Sequence, residues 1–310
     1  MKNSYVRAYL QMFIYLVSIS KNNEKCKYFK KFINIDNNFW LCYYFLGDIM
    51  MKMLDKNKIK TGLLIDADVI AVDETTSTNS DLKILAENGA AEWTILCAEK
   101  QTNGRGRMGN TFYSPEGGIY MRILIKPRFS PENSLFITTI AACSVCNAIE
   151  KLTNKNVKIK WVNDVYNKDG KICGILTESS IDYKTNKLNY AVLGIGLNVF
   201  PPENGFPTDV QNIASSLFDN YEVSSSIYNQ LISEILNQFY NLYNNFDKDM
   251  HINEYKNRSM LINKEISYIQ DSEEFNARVI DIDSECHLIV SDSSGKITKL
   301  SSGEVKIKQW

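Results

Sequence analysis

From residue 54 onward, apolar and polar positions alternate in blocks short enough to read as separate elements. Residues 69–73 predict a short strand. Residues 81–88 carry the three-and-four spacing of an amphipathic helix, with Ser77-Thr78-Asn79 ahead as capping residues and Gly89 behind as the stop. The apolar runs 94–98 and 118–125 have strand length, 135–152 is a long helix and 157–161 a further strand. Residues 172–179 and 190–197 form a strand pair, and 228–246 place Leu, Ile, Phe and Tyr at helical intervals. Strands gather around helices without strict βαβ alternation, which predicts an α+β fold, a mixed β-sheet backed by helices.

After about residue 260 only short strands remain, at 265–269, 275–281, 288–291, 296–300 and 305–308, separated by turn signals such as Asp292-Ser293-Ser294-Gly295. That rhythm predicts a small appended β-barrel. The first fifty residues differ again, being rich in Lys, Asn, Tyr and Phe. Their apolar runs, 8–19 and 39–46, fall short of the about 20 residues a helical membrane span needs. Lys2 and Arg7 mimic a signal peptide, but no small-residue cleavage site follows. The expected organisation is an N-terminal extension over 1–53 outside the native product, with the true start at Met50, Met51 or Met53. A catalytic domain over 54–259 and the barrel over 260–310 follow.

Composition narrows the function classes. A formal net charge of -1 supplies no general attraction to nucleic acid, so specific DNA binding is not expected, nor is a membrane. Seven cysteines without a framework point to reduced thiols and a cytoplasmic protein. Cys143 and Cys146 make a CxxC, yet both fall on the apolar helix 135–152 and read as small core residues. The two histidines, His251 and His287, sit in no nucleophile motif, which disfavours Ser-His chemistry.

The sharpest local signal is Gly104-Arg105-Gly106-Arg107-Met108-Gly109, which spells GxGxxG. A dinucleotide turn must open a helix, whereas this one runs through Pro115, Gly117 and Gly118 into a strand. Its glycines let backbone approach an anion, and its arginines offer planar, permanently charged forks for carboxylate or phosphate.

Ser77-Thr78-Asn79, Glu99-Lys100-Gln101 before the arginine loop, Lys160-Trp161-Val162-Asn163-Asp164, Lys171-Ile172-Cys173-Gly174-Ile175-Leu176 with Glu178, and Gly194-Ile195-Gly196-Leu197-Asn198 follow in an order and spacing that resembles the biotin protein ligase family. The resemblance spans roughly 70–310, including Gly303-Glu304 near the end. It implies the family's catalytic fold, related to class II synthetases, followed by an SH3-like barrel, in the form lacking a DNA-binding winged helix. It further implies an enzyme that activates biotin as biotinyl-5'-AMP with ATP, then passes biotin to a lysine of a biotin carboxyl carrier domain of acetyl-CoA carboxylase or another carboxylase.

Carried over by motif, Ser77, Thr78, Asn79 and Gln101 line the biotin end, with Arg105, Gly106, Arg107, Lys171 and Gly174 also at biotin. Gly104, Arg107, Phe112, Lys160, Asn163, Lys171 and Asn198 face ATP, and Arg105, Arg107 and Lys171 are the catalytic cations. Mg2+ is expected with ATP, its ligands unassigned, and a homodimer is left open. Val162 stands where the family often has Pro, and Phe112 where Trp is frequent. The alternatives are a lipoate or octanoyl transfer enzyme, similar in fold but without this arginine loop, and a biotin-responsive DNA-binding regulator.

Overall fold

The apolar strands assemble into two sheets in the computed structural model, which describes residues 53–307 except 183, 222, 225, 271–272 and 304. The expected extension over 1–53 lies outside the described residues apart from Met53, as does Glu304. The first sheet holds β1 (Asp68–Thr75), β2 (Thr94–Gln101), β3 (Gly118–Ile125), β4 (Lys158–Lys160), β5 (Asp164–Tyr166), β6 (Lys171–Asp182) and β7 (Lys187–Asn198) in the order β1-β2-β3-β7-β6-β5-β4. β1 and β2 run parallel and every other pair antiparallel, so the sheet is mixed as expected. The second sheet, β8 (Glu265–Gln270), β9 (Glu273–Ile282), β10 (Leu288–Ser291), β11 (Ile297–Leu300) and β12 (Val305–Ile307), is antiparallel throughout, in the order β11-β10-β9-β8-β12.

Helices α1 (Lys56–Gly62), α2 (Thr78–Glu87), α3 (Leu135–Thr153), α4 (Ser226–Asn244) and α5 (Lys248–Arg258) cover the first sheet unequally. α3 is buried without a gap from Phe136 to Cys146, because it packs on β6 and α4 as the core helix. Cys143 and Cys146 sit inside that helix as free thiols, and burial pushes both up, Cys146 to about 12. α2 packs on β2, β3 and β7 through a separate cluster of Leu82, Leu96, Leu124 and Val192. β3 is therefore buried along its whole length, with helices against both faces.

Three elements escape the apolar pattern. α1 and α5 are short and polar, and their starts are fixed by Asp55 and Asp247, whose carboxylates accept backbone N–H bonds in the first turn. β5 is three residues long and follows β4 directly, so the sequence shows one strand where the chain doubles back. α2 also begins earlier than its spacing suggests, at Thr78 rather than Asp81.

The two sheets share one hydrophobic core, which contains Ile159 and Trp161 of the first and Ile266, Val279 and Leu288 of the second. The Trp161 indole donates to the Cys286 carbonyl at 2.8 Å, and Lys256 of α5 pairs with Asp281 of β9 at 2.8 Å. The segment before α1 is strapped down by Glu99, which accepts from Leu54 N, and by Asn229, which bonds Asp55 N and Met53 O.

Candidate active site

The N-terminus of α2 meets the end of β2 at a buried polar knot. Gln101 Oε1 accepts from Thr78 N at 3.0 Å and from Thr78 Oγ1 at 2.7 Å, while its Nε2 donates to Ser114 Oγ at 2.9 Å. These bonds fix which way the Gln101 amide points. Ser77 is the N-cap residue of α2, but its hydroxyl makes no capping bond. Ser77 Oγ and Asn79 Oδ1 are both buried, and among the described residues both lack a hydrogen-bond partner. Leaving such a group unpaired costs about 1–3 kcal/mol, so these atoms are set aside for something the fold itself does not supply.

Beside this knot the α2 face of the sheet has a trough of positions without side chains of their own, overlaid in this structure by Phe112, Lys171 and Arg122. Its floor is glycine: β7 carries Gly194 and Gly196, and Gly174 of β6 pairs with Gly196. Phe112 lies across that floor, since a Cβ at Gly196 would stand 2.5 Å from the ring Cε1 and one at Gly174 would stand 2.8 Å from Cε2. The ring meets Tyr120 edge to face at 6.3 Å. Beside it, the Lys171 ammonium is 3.4 Å from the same Gly174 Cβ position and pairs with Asp164 Oδ1 at 2.8 Å. The Lys171 backbone is held on both sides, donating to Ile213 O at 2.7 Å and accepting from Ser215 N at 2.8 Å.

The arginine loop hangs over this end. Arg107 Nη1 donates to Asn163 Oδ1 at 2.8 Å, and Asn163 Nδ2 donates to Ile175 O at 2.8 Å, which ties the loop to the strand beside Lys171. Arg107 also lines a cavity of about 320 Å3 with Lys299, Leu300 and Ser301–Gly303, so it stands between the two sheets. Gly104 O accepts from Phe112 N at 2.9 Å and Gly106 N donates to Asn110 O at 2.8 Å, which folds the loop back on itself. Arg105 is exposed and bridges Thr111 through its backbone.

Two of the expected nucleotide residues have protein partners of their own. Lys160 Nζ lies 5.8 Å from the centroid of the Tyr166 ring, and Asn198 Nδ2 donates to Ser215 O at 3.0 Å. Among the described residues, Asp283, Glu285 and His287 bring three metal-type ligand atoms together, but Lys299 already offers its ammonium to Asp283 at 2.8 Å and Glu285 at 3.2 Å. A second cleft, lined by Glu150, Lys158, Glu254 and Arg258, contains none of the groups above.

An orphaned hydroxyl and amide oxygen at one end of a glycine-floored trough, with lysine and arginine at the other, suit a small acid with a polar head. Residues 69–198, the segment that builds this trough, match the model of the biotin/lipoate A/B protein ligase family. Over these residues the chain is similar to that family. The chain is 34% identical over 168 residues to the bifunctional ligase/repressor BirA of Bacillus subtilis, covering 53% of this chain and 51% of that one. It is 31% identical over 177 residues to a biotin–[acetyl-CoA-carboxylase] ligase of Mycobacterium tuberculosis, covering 55% of this chain and 61% of that one. The chain thus spans about half the length of the BirA proteins it matches. Among solved structures, a biotin protein ligase from Aquifex aeolicus in complex with biotin and ATP shares the fold, with a TM-score of 0.64 at 24% identity over 78% of this chain and 99% of that one.

Of the residues the motifs single out, Ser77, Thr78, Asn79, Gln101, Phe112, Lys171 and Gly174 come together around the trough, and Asn163 and Arg107 join at its rim. Asp164, the last residue of the Lys160–Asp164 motif, anchors Lys171. Two side chains lie outside the motifs: Ser114 orients Gln101, and Arg122 on β3 lies over Gly194. Arg122 did carry a signal, as the one charged residue in the apolar run 118–125.

Proposed function

We propose that the chain is an ATP-dependent biotin protein ligase. The observation that carries this reading is the pairing of unspent polar atoms at Ser77 and Asn79 with the Lys171 ammonium over Gly174, joined by a glycine floor overlaid by Phe112 at Gly196 and by Arg122 at Gly194. Biotin would lie along the trough with its ureido ring at Ser77, Thr78, Asn79 and Gln101 and its carboxylate at Lys171. One carboxylate oxygen attacks the α-phosphorus of ATP, the bond from that phosphorus to the bridging oxygen breaks, and pyrophosphate leaves. Lys171 and Arg107 offset the charge that gathers there, and preorganised donors of this kind are worth about 3–4 kcal/mol each. Asp164 keeps the ammonium aimed at Gly174.

In the second half-reaction, the neutral amine of an acceptor lysine attacks the mixed anhydride carbonyl, AMP leaves, and the amine nitrogen gives up a proton. The acceptor is a biotin carboxyl carrier domain of a carboxylase. Magnesium would arrive on the triphosphate and neutralise its oxygens. The five-stranded antiparallel sheet is read as an SH3-like barrel, and the protein as a cytoplasmic enzyme without a repressor role. Its free, buried cysteines and net charge of -1 support those last two points, and a sequence-specific DNA footprint would overturn the second.

The deciding test is biotin-dependent exchange of labelled pyrophosphate into ATP, beside Lys171→Ala. Exchange that requires biotin and falls by about 100- to 1,000-fold in the variant is expected. Exchange with lipoate in place of biotin would move the chain to the lipoate branch of its family, and none with either would end the ligase reading.

A further inference from the structure

β3 is apolar and buried along its length, and Arg122 sits in its middle at 5% exposure. It pairs in register with Gly194 of β7, and its guanidinium lies where any side chain at Gly194 would have to go. Burial lowers its pKa to about 10, a fall that the charge of Glu178 opposes, so the group is still a cation at neutral pH. Its Nε has no hydrogen-bond partner among the described residues.

Glu178 is already shared. Asn79 Nδ2 donates to one oxygen and Lys83 Nζ to the other, the latter at 2.9 Å. Burial by itself would raise the Glu178 carboxyl, but Lys83, Asn79 and Arg122 hold it below the usual range. Two cations therefore face one carboxylate, and a buried donor is left over. Such a donor is costly unless an acceptor arrives with a ligand.

The unspent atoms at Glu178 are then Arg122 Nε, a donor, and Asn79 Oδ1, an acceptor; Ser77 Oγ, which can be either, stands two residues before Asn79 at the start of α2. They belong to the end of the trough away from Lys171, because Gly194 lies two residues, about 7 Å, beyond Gly196 along β7. A cyclic urea answers this set: its carbonyl oxygen accepts two hydrogen bonds and its N–H groups donate. Resting on the biotin ligase reading above, we propose that Arg122 is a specificity-determining residue that donates through Nε to the ureido oxygen of biotin.

The test compares three ligands by calorimetry on the full chain and on Arg122→Met: biotin, desthiobiotin, which keeps the urea and lacks the sulfur, and 2-iminobiotin, a cyclic guanidine protonated at neutral pH that presents an N–H donor where biotin has its carbonyl acceptor; biotin methyl ester serves as a control. A charged donor lost from a buried carbonyl should weaken biotin and desthiobiotin alike by about 10- to 100-fold and leave 2-iminobiotin unchanged or tighter. The KM for biotin should rise with kcat nearly constant, since Arg122 does not reach the reacting carboxylate. Should Arg122→Met fail to fold, Arg122→Lys keeps the buried charge without the planar fork and carries the same comparison. Equal weakening of all three ligands would assign Arg122 a purely structural role, and no weakening would remove it from the site. A loss for biotin that is absent for its methyl ester would place Arg122 on the carboxylate; each of these overturns the proposal. Wild-type protein that binds none of the three would sink the biotin reading itself, a result separable from the others because it needs no variant.

Discussion

Gly196→Ala puts a methyl group on the floor of the trough. The new Cβ would stand 2.5 Å from Phe112 Cε1 and 2.8 Å from Cζ, whereas carbon atoms settle at about 3.5–4.0 Å, so the ring must withdraw by about 1 Å or swing out. Phe112 is half-buried on a loop and can swing. A fully buried ring is worth about 1.5–3 kcal/mol, so releasing this one should cost about 1 kcal/mol and lower Tm by about 2–4 °C. Ligand affinity should suffer more. On the proposed reading biotin lies on the same floor, and one extra methyl in a close-packed site costs about 1–3 kcal/mol, or about 5- to 150-fold in Kd. Calorimetric titration with biotin and a thermal melt measure the two effects separately. In the double variant Phe112→Ala with Gly196→Ala, the methyl group no longer meets a ring, so its stability cost should vanish while its affinity cost persists. A biotin Kd within about twofold of wild type would mean that the ligand does not cross Gly196. A Tm loss above about 10 °C from Gly196→Ala alone would mean that Phe112 is fixed core rather than a movable cover.

Two further outcomes concern stability. Burial lowers His251 from 6.5 to about 4, so the folded protein keeps it neutral while the unfolded chain takes up a proton at 6.5. Its contribution is present above pH 6.5 and is lost as pH falls toward 4, by about 3 kcal/mol in total. Urea unfolding at pH 7 and pH 4 should show wild type losing about that much more than His251→Phe, and equal losses would refute it. Trp161→Phe removes the 2.8 Å donor to the buried Cys286 carbonyl between the two sheets. It should cost about 1–3 kcal/mol in denaturant unfolding and leave biotin affinity unchanged; a variant as stable as wild type would show that the carbonyl finds another partner.

Periodicity alone was enough for the elements whose formation depends on their own apolar spacing. α3, β3 and the β6–β7 pair were legible because a long apolar helix and strands of six to eight apolar residues have few other ways to bury themselves. α1, α5 and β5 were not, since their boundaries depend on an aspartate cap or on a reversal of the chain rather than on a stripe. Motif spacing likewise marked Ser77, Thr78, Asn79, Gln101 and Lys171 as candidates, because these residue types carry their chemistry wherever they stand.

What only the tertiary structure decided is which of those atoms are spent. Thr78 is consumed by Gln101, and Asn79 gives its amide nitrogen to Glu178 and keeps its oxygen. Arg122 reads in the sequence as a stray charge in a strand. Its register against Gly194, set by pairing across more than 70 residues of chain, buries an Nε donor that has no hydrogen-bond partner among the described residues. A hydrogen-bond inventory is a property of atoms brought together from distant segments, and no local pattern of hydrophobic and polar positions encodes it.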